Sequence, residues 1–236
     1  MKHKLSVVII AKNEETVIEE AVRSSRFAHE VLVVDSGSTD KTVQLAKQLG
    51  ARIEHQDWLG FGRQKQRAVE LAANDWVFVL DCDERITEEL RAEVLGVLEN
   101  PMADGFHVPR LNEFFGKYVK YGGLYPDFSI RLFDRNKGRF NDADVHEKVQ
   151  VDGKTGRIKN HLLHLAYDTI EDFIDNQNRY SSLQSKGRHL GKAILHSHWT
   201  FISMYGLKLG LLDGWRGFII ARLYAQYTFW KYIKDR

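Results

Sequence analysis

The sequence predicts an α/β protein with a mainly parallel sheet flanked by helices. Through the first hundred residues, short apolar runs rich in β-branched residues alternate with segments of helical pattern. This alternation implies right-handed β-α-β crossovers, and strands that are apolar throughout are typical of a sheet covered on both faces. Changes of composition near residues 104 and 193 predict a mixed extension of the sheet and then a C-terminal helical tail.

The elements of the first hundred residues follow in regular order. Strands are predicted at 5–11, 31–34, 51–56 and 76–80. Helices are predicted at 14–27, 40–49, 63–73 and 84–99. Ser38 or Thr39 is the expected cap of the second helix.

The second half of the chain has a different pattern. Residues 104–160 contain short strand-like pieces between Gly, Asp and Asn turns, namely GFHVPRL, KYVKY, FSIRLF and KVQV. A helix is predicted at 169–186. Two more are predicted around LLDGWRGF, in an aromatic and basic stretch from about 193 to 236.

The composition narrows the possible functions. The 236 residues are 43% hydrophobic, which is enough for a sizeable core, and a net charge of +2 argues against a nucleic-acid-binding protein. The single cysteine, Cys82, excludes an internal disulfide and a CxxC zinc site, and fits a reducing compartment. The apolar run near the N-terminus is short, so it is interpreted as a strand rather than a signal sequence.

Polar clusters follow three of the predicted strands. They read AKNEE, DSGSTD and DCDER, and the carboxyl ends of parallel strands form the edge where such sheets bind ligands. Asp81 and Asp83 are two residues apart, so they can share a face and hold Mg²⁺ or Mn²⁺. Asp35 could accept hydrogen bonds from a base or ribose. The alternatives are a solvated strand end for Asp81 and Asp83, and a plain Asx turn for Asp35.

Three segments carry a resemblance to a known family. SVVIIAKNEE, VLVVDSGSTDKT and DWVFVLDCDE resemble the inverting family 2 glycosyltransferases, which have the Rossmann-like GT-A fold. YPDFSIRLF resembles the acceptor-side segment of that family, and the resemblance covers about residues 4–165. The tail LLDGWRGFIIARLYAQYTFWKYIK is similar to β-glucosyltransferases that act on the inner core of bacterial lipopolysaccharide.

The resemblance implies a domain organisation. Residues 1–165 would form the catalytic domain, with a nucleotide-sugar half at about 1–100 and an acceptor half at about 101–165. Residues 166–236 would form an amphipathic helical region close to the membrane. Packing onto the catalytic domain or onto a second copy would require the same amphipathic pattern.

The resemblance also implies roles at the donor site. Asp83 would ligate the metal, and Asp81 would contact the ribose or the water shell of the metal. Asp35, Asn13 and Glu14 would hold the base, which is expected to be uracil. Lys65, in GRQKQR, would contact the nucleotide; a solvated helix start is the alternative.

By the same resemblance, Asp127 is the expected catalytic base, although the chain has Pro-Asp where the family more often has Glu-Asp. Glu113 is a weaker alternative. His146 in DVHEKV is the expected second metal ligand, with His164 as the runner-up. Arg131 and Arg135 could pair with phosphate or with exposed carboxylates.

The expected function is metal-dependent inverting transfer of a hexose, glucose from UDP-glucose, onto a lipid-linked lipopolysaccharide core sugar. The enzyme would work at the cytoplasmic face of the inner membrane, in an oligomeric state that the sequence leaves open. A binding or scaffold protein without turnover and a sugar nucleotidyltransferase are the alternatives. Dinucleotide oxidoreduction is disfavoured, because no GxGxxG follows the first strand.

Overall fold

The computed structural model describes residues 2–141 and 147–235, which form two compact units. The first unit comprises Met1–Arg110 and Phe128–His164, and the second comprises Leu111–Asp127 and Leu165–Arg236. The chain therefore passes from one unit to the other three times.

The first unit contains the alternating strands and helices that the sequence predicts. In chain order these are β1 (Leu5–Ala11), α1 (Ile18–Ser25), β2 (Glu30–Asp35), α2 (Thr42–Gln48), β3 (Arg52–His55), α3 (Phe61–Leu71), β4 (Trp76–Leu80), β5 (Glu84–Ile86) and α4 (Glu88–Glu99). The strands that follow are β6 (Gly105–Phe114), β7 (Lys117–Tyr118), β8 (Asp127–Asp134), β9 (Gly138–Phe140), β10 (Val149–Val151), β11 (Thr155–Arg157) and β12 (Leu162–Tyr167). Of these, β7 lies in the second unit, and β6, β8 and β12 have residues in both.

The main sheet has the strand order β3-β2-β1-β4-β8-β6-β12-β5. The first four strands are mutually parallel, β8 is antiparallel to β4, and β12 is antiparallel to β5. A separate antiparallel pair is formed by β9 and β10. A parallel half with a mixed extension is the fold class that the sequence predicts.

Strand β1 shows why the parallel half forms. Val7 and Ile9 belong to one buried cluster with residues of α1 and α4, while Val8 belongs to another cluster with residues of α3. Successive side chains point to opposite faces, so a run that is apolar throughout buries both faces of the sheet. Because β1, β2 and β4 are parallel, the polar residues that follow them emerge at the same edge of the sheet.

Two local predictions are wrong. The helix predicted at 84–99 begins only at Glu88, after Thr87, whose side chain accepts a hydrogen bond from the Leu90 amide at 3.1 Å. Residues 84–86 instead form β5, because β12 supplies an antiparallel partner strand. Helix α2 has no side-chain cap from Ser38 or Thr39; it begins at Thr42, whose amide donates to Asp40 Oδ1 at 3.0 Å.

The second unit contains three α-helices, α5 (Ile170–Leu183), α6 (Leu190–Phe201) and α7 (Trp215–Lys231), within its described residues. A π-helical turn at Ile202–Leu207 and a 3-10 turn at Gly210–Asp213 connect α6 to α7. Their core includes Phe114, Phe173, Met204 and Ile220. Within the described part of the chain, every helix is too short or too polar to span a membrane.

Candidate functional site

The loops after β1 and β2 are joined by hydrogen bonds. The Asn13 amide donates to Ser38 Oγ at 2.9 Å, and Asn13 Oδ1 accepts from the Thr39 amide at 2.8 Å. The Glu14 amide donates to Thr42 Oγ1 at 2.7 Å. Asn13 has a φ of 57°, a left-handed conformation that Asn tolerates better than most residues. Asn13 and Glu14, which are predicted to contact the nucleotide, therefore also hold the loops after β1 and β2 together.

Asp35 ends β2 and is almost completely buried. Its Oδ2 accepts from the amides of Gly37 and Ser38 at 2.9 and 3.0 Å, and its Oδ1 accepts from Ser38 Oγ at 2.5 Å. This is the Asx turn named as the alternative for Asp35. Each carboxylate oxygen has further acceptor capacity, so the turn and a nucleotide contact are compatible.

Asp81 lies between two cations at the end of β4. Nζ of Lys65 is 2.9 Å from Oδ1 of Asp81, and Nη1 and Nη2 of Arg131 are each 3.2 Å from Oδ2. Burial alone would raise the pKa of Asp81, but Lys65 and Arg131 hold it well below its usual range. Asp81 is therefore a carboxylate whose charge is already compensated by protein groups.

Lys65 has a second carboxylate partner. Its Nζ is 3.0 Å from Oε1 of Glu147, and the Lys65 side chain is buried on α3. Burial would lower the pKa of Lys65, but Asp81 and Glu147 raise it above its ordinary value. The sequence predicts Lys65 at the nucleotide, whereas its described partners are these two carboxylates.

Arg131 connects Asp81 to a fully buried carboxylate, Glu84. Nη2 of Arg131 is 2.5 Å from Oε1 of Glu84, and Glu84 Oε2 accepts from the Asp81 amide at 3.0 Å. Burial raises the pKa of Glu84, although Arg131 favours its ionised form. No role for Glu84 is predicted from the sequence. The arginine inside the apolar strand FSIRLF, Arg131, indicated that a buried acidic partner was needed.

Asp83 differs from Asp81 in its surroundings. Its side chain is 44% exposed, and its Oδ2 is 3.3 Å from Nε2 of His164. The contact arises because β12 pairs with β5, which places His164 opposite Glu84 in the sheet. Of the two predicted histidines, His164 on β12 therefore lies beside Asp83, and His146 lies outside the described residues.

The surroundings of Asp83 fit a divalent cation. The Asp83 carboxylate is a hard oxygen donor of the kind that Mg²⁺ and Mn²⁺ prefer, and the His164 imidazole is a nitrogen donor that Mn²⁺ accepts in a mixed site. Either ion usually binds few protein groups and completes its shell with phosphate and water. Burial raises the pKa of Glu14, and the charges of Asp83 and Asp40 raise it further, so negative charge is concentrated here. Residues 2–141 and 147–235 contain no cluster of three or more potential metal ligands.

Two further residues, Cys82 and Arg135, have different surroundings. Cys82 Sγ donates to the Ile10 carbonyl at 3.2 Å, and burial raises the pKa of its thiol well above the ordinary value, so it is not activated. Arg135 lies beyond the opposite end of β4, with Nε 3.7 Å from the exposed Asp75. This matches the exposed-carboxylate alternative for Arg135.

The predicted bases belong to the second unit. Asp127 is partly exposed and is the first residue of β8, directly after the cis peptide bond between Tyr125 and Pro126. Glu113 lies on β6 and pairs in register with Tyr118 of β7. These positions do not test which carboxylate is the base, so the assignment of Asp127 stays a prediction.

Comparison with known proteins identifies the family. The model of glycosyl transferase family 2 matches residues 6–162. The lipopolysaccharide core biosynthesis glycosyltransferase LpsC of Rhizobium meliloti is 31% identical over 245 residues, covering 97% of this chain and 90% of that protein. An uncharacterized glycosyltransferase of Rickettsia typhi is 30% identical over 253 residues, covering 99% and 87%.

Solved structures support the same fold. The crystal structure of TarS residues 1–349 from S. aureus has a TM-score of 0.52 at 17% sequence identity, covering 88% of this chain and 74% of that one. The predicted GT-A fold is thus confirmed, and the family match favours glycosyl transfer over the nucleotidyltransferase and scaffold alternatives. The chain belongs to glycosyl transferase family 2 and is a glycosyltransferase similar to those of lipopolysaccharide core biosynthesis.

Proposed function

We propose that this glycosyltransferase moves a hexose, glucose from UDP-glucose, onto a lipid-linked lipopolysaccharide core sugar with inversion at the anomeric carbon. The enzyme would act at the cytoplasmic face of the inner membrane. The acceptor class is supported by the similarity to LpsC, a glycosyltransferase of lipopolysaccharide core biosynthesis, and by the resemblance of the tail. The donor is supported by the three strand-end motifs that resemble the UDP-sugar-binding family.

The observation that carries the donor half is the contrast between Asp81 and Asp83. Two cations compensate Asp81, whereas Asp83 is 44% exposed and has an imidazole beside it. Asp83 and His164 would hold the divalent cation, with His146 as a further candidate. The cation would neutralise charge on the leaving diphosphate.

The protein groups have distinct roles in the proposed reaction. Asp81, held in a fixed position by Lys65 and Arg131, accepts a hydrogen bond from the ribose. Asp127 takes the proton of the acceptor hydroxyl as that oxygen attacks the anomeric carbon. The bond from the anomeric carbon to the diphosphate oxygen breaks, and its electron pair leaves with UDP. A single displacement inverts the configuration.

Calorimetric titration with UDP, with and without Mn²⁺, tests the donor half. We expect Mn²⁺-dependent binding that Asp83→Ala abolishes. Asp75→Ala is the matched control, because Asp75 is exposed beyond the other end of β4. Metal-independent binding, or binding that survives Asp83→Ala unchanged, would reject the proposed metal site.

Product analysis tests the acceptor half. The wild-type protein is incubated with UDP-glucose and with core oligosaccharide released from lipopolysaccharide, and the products are analysed by mass spectrometry and NMR. A single added hexose with inverted anomeric configuration is expected. UDP binding without any transfer to a core saccharide would leave the donor assignment intact and reject the acceptor class.

A further inference from the structure

The second unit exposes an unusual amount of apolar side chain. Nineteen large apolar residues are exposed in the described part of the chain, and eleven of them fall between Leu190 and Phe218. The eleven are Leu190, Ile194, Leu195, Trp199, Ile202, Leu207, Leu209, Leu211, Leu212, Trp215 and Phe218. Exposed apolar residues this concentrated mark an interaction surface rather than ordinary scatter.

The densest part of this surface runs from the second half of the connection between α6 and α7 to the first residue of α7, residues 207–215, here termed the apolar loop. Leu207, Leu211, Leu212 and Trp215 have exposed fractions of 65%, 47%, 54% and 55%. On α6, Ile194, Leu195 and Trp199 extend the surface. These apolar side chains thus point to solvent from two adjoining elements.

The backbone of the apolar loop is held in place from inside the second unit. Asp213 is buried, and its Oδ2 accepts from the Tyr121 amide at 2.9 Å. A Cβ on Gly210 would lie 2.7 Å from the Met204 carbonyl oxygen, and one on Gly217 would clash with the Gly210 carbonyl oxygen. The leucines are therefore presented by a closely packed turn, which keeps them from collapsing onto the core.

Charge complementarity identifies the chemistry of the partner. Between residues 186 and 235 the sequence contains two acidic residues: Asp213, which is buried, and Asp235, whose Oδ2 lies 2.8 Å from Nη2 of Arg188. The same stretch contains eight basic residues, Lys186, Arg188, Lys192, Lys208, Arg216, Arg222, Lys231 and Lys234. The guanidinium of Arg216 lies over the ring of Trp215, 4.5 Å from its centroid. Exposed leucine and tryptophan flanked by cations match the boundary between anionic headgroups and acyl chains.

A second copy of the chain is a poorer match. In a two-fold contact the same patch supplies both surfaces, so Lys208 and Arg216 of both copies would be brought into one interface. Like charges brought together in an interface oppose association.

We infer that the apolar loop and the outer face of α6 dock on an anionic lipid bilayer, with Leu211, Leu212 and Trp215 entering the headgroup boundary. This inference deepens the proposed function, because a lipid-linked acceptor lies at such a surface. It identifies the connection between the helices, rather than a spanning helix, as the membrane contact.

Vesicle co-sedimentation of the full chain tests the inference. The wild-type protein is expected to bind vesicles of phosphatidylglycerol mixed with phosphatidylcholine, and to bind pure phosphatidylcholine vesicles weakly. Because two exposed isobutyl side chains are replaced by polar amide side chains, Leu211→Gln with Leu212→Gln should weaken partitioning by about tenfold or more. Met102→Gln is the matched control, since Met102 is 72% exposed in the first unit, and should bind like the wild type.

The outcomes separate this inference from the proposed function. UDP binding is measured on the same variants in solution, and its retention shows that the double variant is folded. Absence of wild-type binding to anionic vesicles, or equal binding by the double variant, would overturn the membrane inference and leave the donor site untouched. A wild-type dimer in sedimentation velocity that the double variant loses, without vesicle binding, would assign the surface to a second copy.

Discussion

Nη2 of Arg131 lies 2.5 Å from Oε1 of Glu84, a carboxylate with no exposed surface. The same guanidinium also contacts the candidate site, because Nη2 of Arg131 is 3.2 Å from Oδ2 of Asp81. A buried charge is tolerated only when a partner compensates it. The pair therefore couples the stability of the sheet to the position of Asp81.

Replacing Arg131 should destabilise the fold strongly. In Arg131→Met the Glu84 charge loses its closest partner, and we expect the free energy of unfolding to fall by about 3–5 kcal/mol in urea denaturation. Arg91→Met removes an exposed pair with Glu88 and should cost less than about 1 kcal/mol.

A double-mutant cycle separates the pair from general packing. Arg131→Met combined with Glu84→Leu removes both charges, so it should be more stable than Arg131→Met alone. If Arg131→Met and the double variant had equal free energies of unfolding, Arg131 would not be compensating the buried charge of Glu84.

The ion pairs of Asp81 predict a pH dependence in acid. Its folded pKa is held below the ordinary value of 3.8, after the opposing effect of burial, by Lys65 and Arg131. Asp81 therefore contributes stability that is fully present above the unfolded pKa and is lost as the pH falls below it towards the folded pKa. Between about pH 5 and pH 2, the free energy of unfolding should fall less steeply in Asp81→Asn than in the wild type.

Urea denaturation at a series of pH values measures this difference. Asp57→Asn is the control, because the Asp57 side chain is 93% exposed and should leave the slope unchanged. Parallel curves for Asp81→Asn and the wild type would show that Lys65 and Arg131 do not stabilise the Asp81 carboxylate in solution.

Periodicity was sufficient to predict the parallel half of the fold and the edge where its polar clusters meet. It failed at residues 84–86, because their strand state depends on β12, about eighty positions later in the chain. Local pattern cannot reveal a partner at that separation, and ERITEE alone also suits the start of a helix.

The candidate site shows the same division between local and long-range information. Asp81 and Asp83 could be identified from their spacing, but their different surroundings could not. Those surroundings come from Lys65 on α3, Arg131 on β8 and His164 on β12. Contacts with residues distant in sequence therefore decide that the charge of Asp81 is compensated and that Asp83 stays accessible.

The two candidate histidines can be separated by metal titration. His164→Ala removes the imidazole beside Asp83. If His164 is a ligand, the apparent affinity for Mn²⁺ at fixed UDP should fall by at least the roughly 10- to 100-fold that loss of an outer-shell partner alone causes. His146→Ala is tested in parallel, and His29→Ala is the control because His29 lies at the opposite edge, where its Nδ1 accepts from the Leu5 amide. Loss of affinity in His146→Ala alone would transfer the role to His146.

Asp127→Asn is expected to separate chemistry from donor binding. Removing the base should lower kcat by about 10² to 10⁴, because the acceptor hydroxyl then loses its proton without a positioned carboxylate. UDP affinity and its Mn²⁺ dependence should stay at the wild-type level. Glu113→Gln is the matched comparison, since Glu113 is the alternative base. A large loss of kcat in Glu113→Gln with normal turnover in Asp127→Asn would reassign the base to β6, and a loss of UDP binding in Asp127→Asn would give Asp127 a donor-side role instead.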